Sequence, residues 1–499
     1  MRTRVVAALA ALLLLALLVP GSSASATIGT PTTTGDLKGY LVVLKGEQTA
    51  EGFTASVPVA QVTSLVTSLA GTVANDLSRQ IGVLYVVSAN PTIDETLRAS
   101  GLVEEAAEDF SWKALPDAPA ATFGPPREPA PDPADDPGET LQWDMAQIRT
   151  DQAHEIQAGR RVVEVGVLDS GIDGRHVDFL DLDGGSNVDC TRGRDSLAAL
   201  PPGVGVGLPD PCTDNQFHGT HVAGTIGARA NGIGIVGVAP NVTLIPVKVC
   251  DTSGYCYASA VVDGITYAGD QKFEVINMSF FVDDNEFQQS TEFKCSSDPI
   301  QRAFRHAVER AISYARNEGV TPVAALGNSD QDLAHPVDDT GQPISNECEV
   351  VPAETQGVIG TMSLGAGSEK AGYSNYGAGM TDLAAPGGHG TTGDCATTIL
   401  STVPFGSGYL CIQGTSMASP HAAGVAALIV SQFGTLGNDG DVKMPPQQVE
   451  DYLQSTTVDL GLPGYDECFG NGRVDAFRAV THDTSQVSEA NPPCPEYAE

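Results

Sequence analysis

Three segments of the chain carry side chains suited to attacking a carbonyl and moving a proton. Val165-Gly166-Val167-Leu168-Asp169-Ser170-Gly171 is an apolar strand pattern ending in a carboxylate. In parallel α/β sheets, sites assemble at the carboxyl ends of strands. His218-Gly219-Thr220-His221-Val222-Ala223-Gly224 places an imidazole at the head of a helical stretch whose small residues permit close backbone packing. Gly414-Thr415-Ser416-Met417-Ala418-Ser419-Pro420-His421 places a hydroxyl at the head of a run rich in Ala, Gly and Val, read as a buried helix. Each alone has an ordinary explanation: a turn Asp, a structural His, a capping Ser. Jointly they are the parts of nucleophilic acyl transfer. The hydroxyl attacks, the imidazole takes its proton, and the carboxylate orients the ring and steadies its charged form. At a helix N-terminus the hydroxyl also sits where the helix dipole favours negative charge.

These groups need a frame. Apolar strands at 162–168, 243–249, 275–278, 320–325 and 358–362 alternate with helical stretches, which predicts a mostly parallel sheet with helices on both faces. This main domain runs over 139–480. Residues 37–115 form an earlier module with strands at 40–44 and 82–88, helices at 59–70 and 92–100, and a last strand from Val103. Residues 116–138 hold eight prolines and no periodicity, the signature of a stiff, extended linker. Residues 481–499 are polar and acidic and are read as a tail.

Arg2 and Arg4, an apolar run from Val5 to Val19 and small residues ending at Ala26 read as a secretory signal peptide, residues 1–26, cleaved after Ala26. The run is short for a bilayer span, and no later segment is long and apolar enough for one, so no membrane association is expected once the signal is gone. Ten cysteines in an exported chain suggest disulfides. Connectivity is not fixed by sequence; pairing of neighbours (190–212, 250–256, 295–348, 395–411, 468–494) is the expectation. The 499 residues carry 26 Lys plus Arg against 62 Asp plus Glu, a formal charge of −36, which argues against nucleic-acid or acidic-membrane partners.

The three segments, in the order Asp, His, Ser, resemble the subtilisin-like serine protease family over about 139–480. An α/β-hydrolase esterase would carry its Ser in a G-x-S-x-G elbow and place it first, which this chain does not. A catalytically dead relative used for binding is the non-enzymatic alternative. The resemblance implies a secreted, extracellular serine endopeptidase acting on polypeptides as a monomer. Its implied fold is a three-layer α/β domain with a mostly parallel sheet, preceded by a small α+β propeptide domain that acts as intramolecular chaperone and inhibitor. Ser416 would be the nucleophile, His218 the general base and then acid, and Asp169 the orienting carboxylate. Asn328, in Ala324-Ala325-Leu326-Gly327-Asn328, matches the family's oxyanion donor, with Gly327 beside it.

Family members bind peptides as an added strand between two edges. One edge should be Ser253-Gly254-Tyr255, stiffened by Cys250 and Cys256. The other should follow Asn277-Met278-Ser279, where this chain reads Phe280-Phe281-Val282 in place of the family's Leu-Gly-Gly. Val350-Val351-Pro352 resembles the pocket floor and points to an apolar or aromatic P1 residue; Glu349 and Glu354 beside it leave a basic P1 as the alternative. The stretch 108–115 resembles a propeptide end, so first self-cleavage is expected after Leu115. Asp178 and Asn231, with carbonyls of Arg229, Ile233 and Ile235, match the family's structural calcium site, with Glu139 or Gln142 as a further ligand.

Overall fold

Alternating strands make the N-terminal part. β1 (Lys38–Leu44), β2 (Gly71–Leu77), β3 (Val83–Ser88) and β4 (Val103–Glu108) form an antiparallel sheet in the order β2-β3-β1-β4. In β1 the period of two separates two faces. Tyr40, Val42 and Leu44 pack under α1 (Val59–Ser68) and α2 (Ile93–Ala99), against Val62, Val66, Ile93 and Leu97. Leu41 and Val43 face the other way and join the core of the main domain. Strand β2 is not legible from sequence, because Thr72, Ala74, Asn75 and Asp76 give an edge strand with few apolar residues. The computed structural model describes residues 37–117, 136–181, 184–205, 210–281, 298–337, 341–343, 345–346, 349–404, 408–437, 440–489 and 494. The signal segment, most of the linker, Val282, Cys295 and Cys348 lie outside them.

After β4 the chain adds β5 (Ser111–Lys113) and crosses to the main domain. There β6 (Glu164–Asp169), β7 (Arg194–Asp195), β8 (Thr243–Lys248), β10 (Val275–Met278), β11 (Thr321–Ala325), β12 (Ile359–Leu364) and β13 (Leu383–Pro386) form a seven-stranded sheet. Its order is β13-β12-β11-β10-β6-β8-β7, and every neighbouring pair is parallel. The short β9 (Tyr255–Tyr257) stands outside it and pairs with β5. Strands buried on both faces read as continuous apolar runs, which is why five of the seven are visible in sequence. β7 has two residues and β13 four, ending in Pro386, too little for a pattern.

Helices cover both faces. Val165 and Val167 lie in one core with α3 (His218–Gly227) and α6 (Thr415–Phe433). Leu168 lies in the other with α4 (Ala258–Gln271) and α5 (Pro299–Asn317). α5 begins where its sequence says it should. Asp298 accepts from the Ile300 and Gln301 N–H groups, and Pro299 occupies the first turn.

Cys190–Cys212, Cys250–Cys256, Cys395–Cys411 and Cys468–Cys494 are disulfides, the neighbour pairing in each case. The 295–348 pairing lies outside the described residues. The segment read as a tail folds back. The Asp459 N–H donates to the Val487 carbonyl at 2.8 Å, and buried Arg473 holds Glu489 through two nitrogens at 2.7 and 2.8 Å.

Candidate active site

Asp169 is the last residue of β6 and is fully buried. His218 is the first residue of α3. Its Nδ1 lies 3.0 Å from both carboxylate oxygens of Asp169. A carboxylate can only accept here, so Nδ1 carries the proton and the Nε2 lone pair faces away from Asp169. The approach of the two elements requires a glycine after His218. A Cβ on Gly219 would stand 2.1 Å from the Gly171 carbonyl oxygen and 3.1 Å from Asp169 Cβ.

Asp214, not singled out in sequence, ties these elements together. Its Oδ1 accepts from Ser170 Oγ at 3.0 Å and from the Gln216 and Phe217 N–H groups at 2.9 Å each. Its Oδ2 accepts from Thr220 N–H at 3.0 Å and from Thr220 Oγ at 2.7 Å. Ser170 Oγ in turn accepts from Gly219 N–H at 3.0 Å. One buried carboxylate therefore fixes the strand end that carries Asp169 relative to the helix start that carries His218. Phe217 takes a φ of +105° in this turn, rare for a residue with a side chain.

Ser416 stands in the first turn of α6. Its hydroxyl donates to the Ser279 carbonyl at 3.0 Å and makes no hydrogen bond to His218, so a χ1 rotation separates this resting arrangement from one in which His218 receives its proton. Ser279 Oγ holds the helix start, donating to the Ser416 carbonyl at 2.8 Å and meeting Ser419 Oγ at 2.9 Å. Asn328 follows β11. Its Oδ1 accepts from both Thr415 N–H and Thr415 Oγ at 2.9 Å, which leaves Nδ2 without a partner among the described residues. Gly327 N–H bonds the same Thr415 hydroxyl at 3.2 Å, with φ of +113°. His218, Asn328 and Ser416 line one cavity of about 480 Å³. His221 and His421 lie outside this constellation: His221 Nε2 faces the Ile399 and Leu410 carbonyls, and His421 Nε2 pairs with buried Asp144 at 3.0 Å.

The chain's own residues 113–117 line that cavity too. β5 pairs antiparallel with β9, setting Lys113 opposite Tyr255, Trp112 opposite Cys256 and Ser111 opposite Tyr257. Ala114 and Leu115 N–H groups both reach the Gly254 carbonyl at 3.1 Å, and Lys113 Nζ donates to the Ser253 carbonyl. Trp112 is buried among Phe110, Phe304 and Phe280, with centroid distances of 5.6, 5.7 and 6.5 Å. Ser253, Gly254 and Tyr255 thus hold an extended segment. Ser279 does not: its carbonyl faces Ser416, and among the described residues the segment pairs with one edge only. Phe280 is wholly buried behind Trp112, and a Cβ on Gly327 would lie 3.5 Å from the Phe281 ring. Leu115, Val350 and Val351 are buried. Glu349 pairs with Arg305 at 2.9 Å, and Glu354 accepts from the Val350 N–H, so neither acid is free to hold a basic side chain.

At the expected calcium position, Asp178 is fully buried. Its Oδ2 accepts from Ile235 N–H at 3.0 Å, and Oδ1 has no hydrogen-bond partner among the described residues. Burial holds this carboxyl well above the ordinary range, and the nearby Asp136 carboxylate pushes the same way. Asp136, unremarked in sequence, accepts from the Asn231 N–H at 3.2 Å and from the Gly232 N–H. Asn231 staples the loop: Nδ2 donates to Val177 and Leu180 carbonyls, and Oδ1 accepts from Ile233 N–H. Gln142 is committed elsewhere, to both polar groups of Val236. Among the described residues no three His, Cys, Asp or Glu side chains converge as a metal cluster. An orphaned, buried carboxylate oxygen beneath a glycine-rich loop nonetheless fits one oxygen-liganded cation supplied largely by carbonyls.

A hydroxyl, an oriented imidazole and a free amide donor around one cavity can carry out acyl transfer to water. Comparison with known proteins agrees. Residues 160–472 match the model of the "Subtilase family". Subtilisin DY of Bacillus licheniformis is 32% identical over 342 residues, covering 68% of this chain and 99% of that protein. A thermostable alkaline protease of Halalkalibacterium halodurans is 32% identical over 342 residues, 68% of this chain and 74% of that protein. Among solved structures, a protease of Pseudoalteromonas arctica is 31% identical with a TM-score of 0.51, covering 70% of this chain and 98% of that one. The epidermin leader peptide processing serine protease of Staphylococcus aureus shares the fold, with a TM-score of 0.65 at 20% identity over 91% of this chain and 100% of that one.

Proposed function

Because the chain belongs to the subtilase family and is a subtilisin-like serine endopeptidase, we propose that it is exported as a zymogen, processes itself, and cleaves polypeptides after apolar or aromatic residues. The observation that carries this reading is the seating of Lys113–Leu115 against Gly254, in the same cavity as His218 and Ser416. A segment bound this way is both a substrate and a plug. Residues 37–115 act as the propeptide, 1–26 as the signal, and self-cleavage falls first after Leu115, with the proline-rich linker trimmed later.

In the reaction Ser416 Oγ turns from the Ser279 carbonyl to His218 Nε2, gives up its proton and attacks the scissile carbonyl. Asn328 Nδ2 and the Ser416 N–H donate to the oxyanion. His218, held by Asp169, returns the proton to the leaving nitrogen, forming the acyl-enzyme; water then repeats the sequence in reverse. Asp178, with Asn231 and the carbonyls of Arg229, Ile233 and Ile235, would hold a calcium ion, which would supply positive charge to steady the loop.

The test is labelling by a serine-directed fluorophosphonate. The parent should label and process. Ser416→Ala should do neither, and labelling that survives this substitution would remove the assignment. In a P1 peptide library, buried Leu115, Val350 and Val351 and the occupied Glu349 and Glu354 support apolar selection; a dominant Arg or Lys preference would refute it.

A further inference from the structure

Gln216 is buried two residues before His218, and its side chain makes two contacts that point in different directions. Oε1 accepts from the His218 N–H at 2.8 Å, while Nε2 donates to the Pro116 carbonyl at 2.6 Å. The amide orientation is forced. Turning it over would set NH2 against an N–H and oxygen against a carbonyl, losing both bonds. Asp214 fixes the Gln216 N–H at 2.9 Å, so the side chain starts from a rigid backbone. Pro116 is the first residue beyond Leu115. Its ring nitrogen has no proton to offer, and its carbonyl is the first polar group on the leaving-group side. The edge strand β9 and Gly254 hold the acyl side, residues 111–115.

We infer that Gln216 is the substrate-binding residue for the leaving-group half of the peptide, gripping the carbonyl of the residue that follows the scissile bond and coupling it to the backbone of His218. The inference rests on the endopeptidase reading above. Its consequence is a selectivity that no acyl-side contact provides. Substrates with a peptide continuing past the scissile bond use this hydrogen bond; those ending in an aromatic amine have no carbonyl there and cannot. Holding that carbonyl also fixes the plane of the leaving nitrogen toward His218, the group that must protonate it.

The experiment compares two substrates with the acyl sequence Phe-Ser-Trp-Lys-Ala-Leu. One continues as Leu-Ala-Asp in an internally quenched peptide, and the other ends as the p-nitroanilide. Enzyme is expressed as the full chain and titrated for active sites, so that incomplete processing does not enter the rates. Gln216→Glu keeps the acceptor for His218 N–H and replaces the donor with an oxygen that opposes the substrate carbonyl. Gln216→Ala removes both contacts. For Gln216→Glu, kcat/KM on the quenched peptide should fall about 10-fold further than kcat/KM on the anilide, at the upper end for one lost neutral hydrogen bond. Gln216→Ala should show the same preferential loss on the peptide. Equal losses on both substrates would mean that Gln216 only supports His218, and no loss on either would mean that the contact does not form with substrate; both overturn the inference. If the parent hydrolysed neither substrate, the endopeptidase reading itself would fail and take this inference with it.

Discussion

Asn328 uses its two amide ends for different tasks. Oδ1 is committed to Thr415, through two hydrogen bonds of 2.9 Å, and this fixes the amide plane before any substrate arrives. Nδ2 is then preorganised, and in the proposed mechanism a donor already aimed at the developing charge needs no reorganisation at the moment of reaction. The expected outcome for Asn328→Ala is a fall in kcat of about 10²–10³-fold with KM nearly unchanged, a size taken from subtilisin itself. Steady-state kinetics with active-site titration measure it. Asn328→Asp retains the acceptor for Thr415 but removes the donor, and it should lose as much. A kcat within about twofold of the parent in either variant would mean that the oxyanion is held by other groups. Asp169, His218, Ser416 and Asn328 were legible because their neighbours form patterns: a strand end, a glycine-rich helix start, a glycine before an amide. Asp214 and Gln216 were not, since the turn Asp214-Asn215-Gln216-Phe217 has ordinary composition. The role of Asp214 appears only when Ser170, 44 residues away, is brought to its carboxylate.

At the scale of elements, legibility tracked burial. Strand β10 reads directly because all four of its residues are buried, whereas between its buried ends β2 alternates between exposed and half-buried positions and carries three polar side chains, Thr72, Asn75 and Asp76. The loop from Arg229 to Ile235 tests what a pattern implies about an ion. Asp178, beneath it, has a folded-state pKa raised by burial. A carboxyl raised in this way contributes its stability below the unfolded value, 3.8, and that contribution is lost as pH rises toward the folded value. A bound divalent cation reverses the penalty by favouring the ionised form. Chelation should therefore lower the melting temperature of the protein, and the drop should be larger at pH 8 than at pH 5, where protonation partly satisfies Asp178. Differential scanning calorimetry with and without EDTA reads both points. No drop at either pH would exclude the cation; a drop that Asp178→Asn leaves untouched would place it elsewhere.

At the scale of the whole molecule, a chain of net charge −36 sets acids of its first sheet against bases of α5: Arg302 meets Glu105 at 2.8 Å and Arg310 meets Glu104 at 2.5 Å. The same contact surface carries Trp112 and Leu115 into the cleft, so charge pairing, aromatic packing and strand addition together seat residues 113–117 in the cavity that His218 and Ser416 line, and the bond proposed to be cut there is Leu115–Pro116. That bond is a poor one to cut. Its nitrogen carries the ring Cδ where other residues carry hydrogen, which crowds the approach of His218 as the leaving nitrogen becomes tetrahedral and must be protonated. The binding contacts do not depend on the ring, since Gln216 and Gly254 use the Pro116 carbonyl and the Ala114 and Leu115 N–H groups. Binding and cleavage are thus separable at this position. Pro116→Ala should leave the first sheet docked while speeding the first cut by about 10-fold or more, roughly 1.4 kcal/mol off the barrier. Intact mass spectrometry of the full chain against time gives the rate, and sequencing of the new N-terminus identifies the bond. An unchanged rate with cleavage after Leu115 would show that chemistry at proline does not limit processing, and a first N-terminus other than residue 116 in both chains would move the scissile bond out of the cavity described.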